Sequence, residues 1–158
     1  MQVRQIPMAQ LRGIIDEQLA HGEALLPVTG NSMWPLLVGG RDMVRLARPD
    51  RRAQPGDIAL YQKADGSYIL HRVIRLCAPE TCICCGDAQW EGEQVDEAQI
   101  IAYVTAFRRK GRWQETALSR PYRLYEHFWV HTFPARRPLL RLLRFLQRAR
   151  RGLIRGRR

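Results

Sequence analysis

The sequence predicts a mainly-β protein, with a partly open barrel or sandwich at its core, a short helix before the core and a basic helical tail after it. Three observations support this prediction. Short apolar runs recur along residues 23–113. Gly, Pro and Asp separate these runs, which is typical of strands joined by tight turns. Residues 136–158 combine leucine at helical spacing with ten arginines and no acid, and this pattern indicates a basic amphipathic helix.

The predicted organisation has three segments, which are an N-terminal helix in residues 1–22, a core in 23–113 and a tail in 114–158. Met8 to His21 is expected to form the first helix, which Gly22 ends. Its apolar face is formed by Leu11, Ile14, Ile15 and Leu19.

The core is expected to hold six strands, separated by turn residues. Asp65-Gly66 between the third and fourth strands predicts a β-hairpin. The tail is expected to hold an aromatic-rich helix over 121–131 and the basic helix over 138–154. The six strands are expected over residues 24–28, 42–47, 58–62, 67–76, 82–85 and 100–108.

The net charge of +11 belongs almost entirely to the tail, since the rest of the chain carries 16 basic and 15 acidic residues. No apolar run reaches the ~20 residues that span a bilayer, and Met1 to Leu11 lacks the apolar core of a signal peptide. We therefore expect a cytoplasmic protein whose residues 136–158 lie on the anionic inner face of a membrane. Packing against the body is an alternative; nucleic-acid binding is less favoured, because the tail carries an apolar stripe.

Four cysteines lie close together in the sequence. Without an export signal their thiols are expected to stay reduced. Their spacing matches no standard zinc knuckle, so we expect small core or strand residues, with a metal site as the lesser alternative. The four are Cys77, Cys82, Cys84 and Cys85.

The chemistry-bearing part of the sequence is a serine in a tight turn, followed some forty residues later by a lone histidine in an alternating run. Ser32 follows Gly30-Asn31, which tolerate the backbone of such a turn, and precedes Pro35. A serine hydroxyl needs a neighbouring base to become a nucleophile. His71 could supply that base, because an unperturbed histidine is largely neutral at pH 7.

Both residues belong to a series of four short boxes. Together the boxes resemble, in order, those of the type I signal peptidase and LexA-like serine peptidase superfamily, over about residues 25–110. The resemblance implies an all-β catalytic core that hydrolyses a peptide bond with a Ser and a Lys or His base. The boxes are Gly30-Asn31-Ser32-Met33-x-Pro35, Gly56-Asp57-Ile58-Ala59-Leu60-Tyr61, His71-Arg72-Val73 and Gly86-Asp87-Ala88.

The third box carries histidine where bacterial housekeeping signal peptidases carry lysine. Neither lysine of the chain, Lys63 or Lys110, falls in this box. His71 therefore resembles the branch found in endoplasmic-reticulum, archaeal and some Gram-positive enzymes. The missing spanning helix before the Ser box departs from membrane-anchored signal peptidases.

The resemblance implies Ser32 as the nucleophile and His71 as the general base. Asp87 is the expected third member, which would accept a hydrogen bond from the His71 ring. The later acids Glu91, Glu93 and Asp96 lie near the position of a further acid in His-type relatives, and Glu93 ranks below Asp87.

The oxyanion hole is expected to include the Ser32 N–H. Gly30 has no hydroxyl where bacterial relatives often provide one, so Thr29 or Asn31 would replace it. Met33 and Pro35 are expected to shape the substrate groove or simply to pack. The chemistry needs no cofactor and no metal.

The function expected from these residues is that of a serine endopeptidase that cuts a leader or precursor peptide with a Ser-His dyad. Its substrate would be an extended peptide added along a strand edge, with small residues at the cleavage site as in the family. One alternative is a LexA-like self-cleaving regulator, although residues 1–28 are too short for a DNA-binding module and contain no Ala-Gly or Cys-Gly. The other is a non-enzymatic basic adaptor on a peptidase fold.

Overall fold

An eight-stranded antiparallel sheet forms the centre of the molecule in the computed structural model, which describes residues 8–77 and 79–155. Helix α1 (Met8–Ala20) precedes the sheet, and helices α2 (Arg120–His131) and α3 (Arg136–Arg155) follow it. The predicted mainly-β class, with a short N-terminal helix and C-terminal helices, is confirmed. The strands are β1 (Glu23–Pro27), β2 (Met43–Ala47), β3 (Ile58–Gln62), β4 (Tyr68–Leu76), β5 (Thr81–Cys85), β6 (Glu93–Asp96), β7 (Ile100–Arg109) and β8 (Arg112–Glu115).

The strand order is β1-β2-β7-β3-β4-β5-β6, with β8 paired to β7. Within the described residues no pairing joins β1 to β6, so the sheet stays open. Each of the six predicted strands is present within one or two residues of its expected bounds. Strands β6 and β8 were not among the predicted strands; each has only four residues and is mostly polar. They form because β5 and β7 offer them a free edge, which local sequence does not reveal.

Strand β3 separates two apolar cores. Ile58 and Leu60 belong to a core that also receives Ile15 and Leu19 of α1, whereas Ala59 belongs to a second core on the other face. Successive side chains of a strand point to opposite faces, so a strand buried on both faces needs the continuous apolar run that β3 has. On α1, Ile14 is 42% exposed although it was expected on the apolar face.

The β3–β4 hairpin determines which residues of these two strands lie side by side. Asp65 accepts hydrogen bonds from the backbone N–H and hydroxyl of Ser67, which closes the turn. Ala59 then pairs with His71 and Tyr61 with Ile69. Because side chains alternate along each strand, Tyr61 and His71 share one face of the sheet.

The C-terminal helices pack on the body of the molecule. Helix α2 begins after Ser119, whose side chain accepts from the Tyr122 N–H, and it buries Tyr122 and Trp129. On α3, Arg136 and Leu140 are buried, and a spacing of four residues puts Arg144 on the same face. Strand β8 crosses the boundary expected at residue 113.

The outer face of α3 is apolar and exposed, through Leu142, Phe145 and Leu146. In the described part of the chain, none of the helices combines the length and apolar character that crossing a bilayer requires. Residues 1–7 of the expected N-terminal segment and 156–158 of the expected tail lie outside the described residues.

Candidate active site

Ser32 is held by the loop that joins β1 to β2. Leu36 and Leu37 belong to this loop, and they anchor it because their side chains are buried in the first core. The loop is closed where the Gly39 N–H donates to the Gly30 carbonyl at 2.8 Å. A Cβ at Gly39 would lie 2.4 Å from that carbonyl oxygen, so only glycine fits here. The loop is therefore a rigid support for a half-buried serine.

The Ser32 hydroxyl and backbone N–H are the two polar groups of this residue that catalysis would use. Among the described residues, neither of them makes a hydrogen bond. Its carbonyl oxygen instead accepts from the Ala88 N–H at 2.8 Å. This arrangement leaves one hydroxyl for a nucleophilic role and one N–H donor for a developing oxyanion.

His71 projects from β4 and is only 7% exposed. Its Nδ1 lies 3.2 Å from the Tyr61 hydroxyl and 3.8 Å from Glu93 Oε1. The Tyr61 hydroxyl donates to Glu93 Oε1 at 2.5 Å. Since its single proton is used there, the Tyr61 oxygen can only accept from the histidine. We therefore assign the His71 proton to Nδ1, which leaves Nε2 as a free base.

The Nε2 side of the ring faces the Ser32 loop across Gly86. A Cβ at Gly86 would lie 2.6 Å from the Ser32 carbonyl oxygen, 2.8 Å from Gln89 Oε1 and 3.1 Å from His71 Nε2. These three atoms therefore surround a single point beside Gly86. Nδ1 thus faces the groups that orient the ring, and Nε2 faces the Ser32 loop, an arrangement that is compatible with general-base catalysis by histidine.

Ser32 and His71 line the same cavity, which has a volume of about 740 Å³. Lys63 and Glu93 lie at its sheet side, and Arg144 of α3 reaches it from the other side. The remaining lining residues are Ile69, Cys84 and 88–92. No hydrogen bond joins the Ser32 hydroxyl to His71 among the described residues, so a substrate would have to be positioned between them.

Two groups in the cavity could act as a base, and electrostatics favours His71. Burial lowers the pKa of His71 below its usual 6.5, although the charge of Glu93 opposes this. The Lys63 ammonium lies 2.6 Å from Glu93 Oε2, and this hydrogen bond raises the pKa of Lys63. Lys63 is therefore held protonated at neutral pH, whereas His71 is neutral and able to accept a proton.

Glu93 keeps its negative charge beside the histidine. Burial raises its pKa, but the hydrogen bonds from Lys63 and Tyr61 outweigh burial and leave the Glu93 pKa below its usual value. Burial and the hydrogen bond to Glu93 also raise the pKa of Tyr61. Tyr61 thus stays neutral and connects the Glu93 carboxylate to the His71 ring.

Asp87 occupies a different position from the one expected of a third triad member. Its two carboxylate oxygens accept from Arg72 at 2.8 and 2.9 Å, and the Tyr125 hydroxyl donates to one of them at 2.9 Å. The Arg72–Asp87 pair is fully buried. Within the described residues Asp87 makes no hydrogen bond to His71, because these buried donors use its oxygens. The acid near the ring is Glu93, which was ranked below Asp87.

The C-terminal helices hold the Gly86-Asp87-Ala88 turn in place. The Trp129 indole N–H donates to the Asp87 carbonyl at 3.2 Å. Arg136, fully buried, donates to the Gly86 carbonyl at 3.3 Å and to the Trp129 carbonyl at 2.7 Å. This turn faces both Ser32 and His71, so α2 and α3 help to shape the site.

The residues expected around the oxyanion hole and groove do not line the cavity. Thr29 and Asn31 are exposed and do not belong to the cavity lining. Met33 is 2% exposed and packs in the first core, which is the packing alternative foreseen for it. Pro35 is half-buried and follows Trp34 through a cis peptide bond.

Three of the four cysteines lie on β5, and one of them, Cys84, lines the cavity. Cys82, Cys84 and Cys85 are buried and all four thiols are free. The Cys82 and Cys84 sulfur atoms lie 3.7 Å apart, and burial raises the pKa of Cys85 to about 11. In residues 8–77 and 79–155 no three His, Cys, Asp or Glu side chains group as a metal site would require.

Two further residues of the candidate site, Tyr61 and Arg144, were not among the site residues expected from the sequence. A signal for Tyr61 exists in the hairpin: a turn centred on Asp65 pairs Ala59 with His71 and thus brings Tyr61 diagonal to the histidine. No such signal exists for Arg144, since its position depends on how α3 returns to the sheet.

Neither a protein-family model nor a curated protein matches this chain. The function of the site is therefore inferred from its own geometry and from the resemblance of the four boxes.

Proposed function

We propose that this protein is a serine endopeptidase of the signal peptidase type, with Ser32 as nucleophile and His71 as general base. The observation that supports this most is the arrangement of the histidine. Its Nε2 faces the Ser32 loop across Gly86, while Tyr61 and Glu93 lie at Nδ1. The same cavity holds the unpaired Ser32 hydroxyl.

In the proposed reaction the Ser32 oxygen attacks the scissile carbonyl carbon, and its proton passes to His71 Nε2. The Ser32 N–H stabilises the oxyanion that forms. The imidazolium is stabilised at Nδ1 through Tyr61 and the negative charge of Glu93. His71 then gives the proton to the leaving amine, and afterwards activates the water that hydrolyses the acyl-enzyme.

A free strand edge beside His71 supports an extended peptide substrate. Tyr68 to His71 pair with β3 on one side. The pairing of β4 with β5 begins only at Arg72, so no described strand covers the other edge of these four residues. Ile69 within this stretch lines the cavity. A substrate strand could hydrogen-bond to this edge and carry its scissile bond to Ser32.

A serine-reactive fluorophosphonate probe tests the proposed nucleophile. Wild-type protein should be labelled on Ser32, as mapped by mass spectrometry, and Ser32→Ala should lose the label. Ser67→Ala removes a hydroxyl in the hairpin but keeps the Ser67 N–H bond to Asp65 that closes the turn, so it should be labelled like wild type. Labelling that persists in Ser32→Ala, or a folded wild-type protein that cannot be labelled, would overturn the assignment.

We also propose that the outer face of α3 binds an anionic membrane surface, such as the cytoplasmic inner face of a cell membrane. Leu142, Phe145 and Leu146 are 55%, 65% and 52% exposed. Arg141 and Arg148 flank them, and residues 136–158 contain no acid. An amphipathic helix with this composition can insert apolar side chains between lipids while its arginines meet the headgroups.

Vesicle co-sedimentation tests this surface with a full-length variant that keeps α3 on the body. Wild type should bind vesicles with anionic lipid, bind less as salt rises, and bind neutral vesicles weakly. Phe145→Ser with Leu146→Ser should lose most of the binding, whereas Leu118→Ser, at a leucine outside α3 that is 80% exposed, should not. Equal binding by all three proteins would contradict the proposal.

A further inference from the structure

One wall of the cavity is supported by the Gly86-Asp87-Ala88 turn, of which Ala88 lines the cavity, and this wall carries more positive than negative charge. Arg72 and Asp87 cancel each other as a buried ion pair. Behind them Arg136 donates only to the Gly86 and Trp129 carbonyls. It pairs with no carboxylate in the described part of the chain, and its Nε has no hydrogen-bond partner. A buried cation without an ion pair therefore lies directly behind this wall, packed against the rings of Trp129 and Phe133.

A second unpaired cation lies on the surface of the same wall. Arg144 of α3 donates from Nη2 to the Ala88 carbonyl at 3.2 Å and lines the cavity. No described carboxylate forms an ion pair with it, so most of its guanidinium donors remain available. It lies one turn after buried Leu140, and its exposed side chain lies where the cavity opens to solvent.

The other charges around the cavity are already neutralised in pairs. Lys63 is bonded to Glu93 at 2.6 Å, and Arg137 to Glu91 at 3.1 Å. Arg144 is thus the cavity-lining cation, among the described residues, for which the protein provides no acid. A cation left free beside a binding cavity attracts an anionic group of the ligand.

We propose that Arg144 binds a carboxylate of the substrate close to the scissile bond, so that the preferred substrates are acidic peptides. The position follows from two hydrogen bonds, because the Ala88 N–H donates to the Ser32 carbonyl at 2.8 Å while the Ala88 carbonyl accepts from Arg144. Only Ala88 separates the guanidinium from the nucleophile residue. The planar fork of arginine matches a carboxylate in two parallel hydrogen bonds. The statement that a bond is cut there rests on the proposed function, whereas carboxylate binding does not.

Peptide binding to full-length Ser32→Ala tests the subsite without requiring cleavage. Three fluorescent heptapeptide mixtures of small residues would be compared by anisotropy. One has a central Glu and an amidated C-terminus, one a central Gln and an amidated C-terminus, and one a central Gln and a free C-terminal carboxylate. We expect the Glu mixture to bind about tenfold more tightly than the amidated Gln mixture, as for one partly exposed charge-assisted hydrogen bond.

Substitutions in the same background identify the residue responsible. Arg144→Gln should abolish the preference for Glu, and Arg144→Lys should keep part of it. Arg148→Gln, one turn further along α3 and outside the cavity lining, should keep all of it. Equal binding of the Glu and amidated Gln mixtures, or a preference that survives Arg144→Gln, would overturn the proposal. If the Gln mixture with a free C-terminus also binds more tightly than the amidated Gln mixture, the subsite accepts C-terminal carboxylates as well as side-chain carboxylates.

Failure of the proposed function is separable from failure of the subsite. Fluorophosphonate labelling of the wild type reports on Ser32 alone, and peptide anisotropy reports on Arg144 alone. An unlabelled protein with an Arg144-dependent preference for Glu would retain the subsite and lose the peptidase assignment. A labelled protein without the preference for Glu would retain the proposed nucleophile and lose the Arg144 subsite.

Discussion

The two walls of the cavity are built in opposite ways. The sheet wall, formed by Tyr61, His71 and Glu93, comes from a hairpin and a short strand paired in one sheet. The helix wall, formed by Gly86-Asp87-Ala88, is held by side chains of α2 and α3 that lie some forty to fifty-five residues further along the chain. The difference separates the proposed chemistry from its support: the sheet wall carries the proposed base and the groups that orient it, and the helix wall keeps the neighbouring turn in position.

The walls differ in charge as well. On the sheet wall, Lys63 and Glu93 neutralise each other while Tyr61 and His71 remain neutral. On the helix wall, Asp87 neutralises Arg72, and the positive charges of buried Arg136 and exposed Arg144 remain without an acid among the described residues. Substitutions on the first wall are therefore expected to alter catalysis without unfolding the protein. Substitutions on the second are expected to alter stability or substrate binding.

The largest effect is expected from His71→Ala on the sheet wall. Removing the general base should reduce kcat/KM for a cleaved peptide by up to about 10⁶-fold, as in other serine hydrolases, with little change in thermal stability. Steady-state kinetics and a melting curve measure the two quantities. His21→Ala, at an exposed histidine that bonds the Glu17 carbonyl, should behave as wild type. Full activity in His71→Ala would assign the base elsewhere.

A loss of stability is expected from Asp87→Asn on the helix wall. The substitution leaves the Arg72 guanidinium buried without its carboxylate, and should lower the free energy of unfolding in urea by about 3–5 kcal/mol. Asp16→Asn breaks the partly exposed pair with Arg12 and should cost less than about 1 kcal/mol. If Asp87→Asn and Asp16→Asn lowered the free energy of unfolding by the same small amount, the buried Arg72–Asp87 pair would not be what stabilises this wall.

The smallest expected effect is a shift of the pH profile. His71 must be neutral to act as a base, and burial lowers its pKa. The value of kcat/KM should therefore rise with pH, and this rise, the acid limb of the profile, should be centred below pH 6.5. The charge of Glu93 favours protonated His71, so Glu93→Gln should lower the pKa of His71 further and move the acid limb to lower pH. Glu97→Gln, at an acid paired with Arg52 on the surface, should leave the limb unchanged. A limb that moves to higher pH in Glu93→Gln would contradict the assigned role of Glu93.

The sequence by itself determined the class of the fold and the outline of the sheet wall. Apolar runs and turn residues act over a few positions, so six strands and three helices could be predicted from local pattern. The Asp65-Gly66 turn also fixes the β3–β4 register, from which the neighbourhood of Tyr61 and His71 could be worked out. Short polar strands such as β6 escaped prediction because their pairing partner, rather than their own composition, makes them strands.

Only the tertiary structure decided which acid reaches the histidine and what lines the opposite wall. A Gly-Asp turn has the same local pattern whether its carboxylate meets a histidine or an arginine, and here Arg72 and Tyr125 use the oxygens of Asp87. Glu93 reaches His71 through Tyr61 because β6 pairs with β5. Arg144 reaches the cavity because α3 folds back onto the Gly86–Ala88 turn. These contacts join residues that are far apart in the chain, and their partners are selected by burial and charge compensation in the folded protein, which no local pattern encodes.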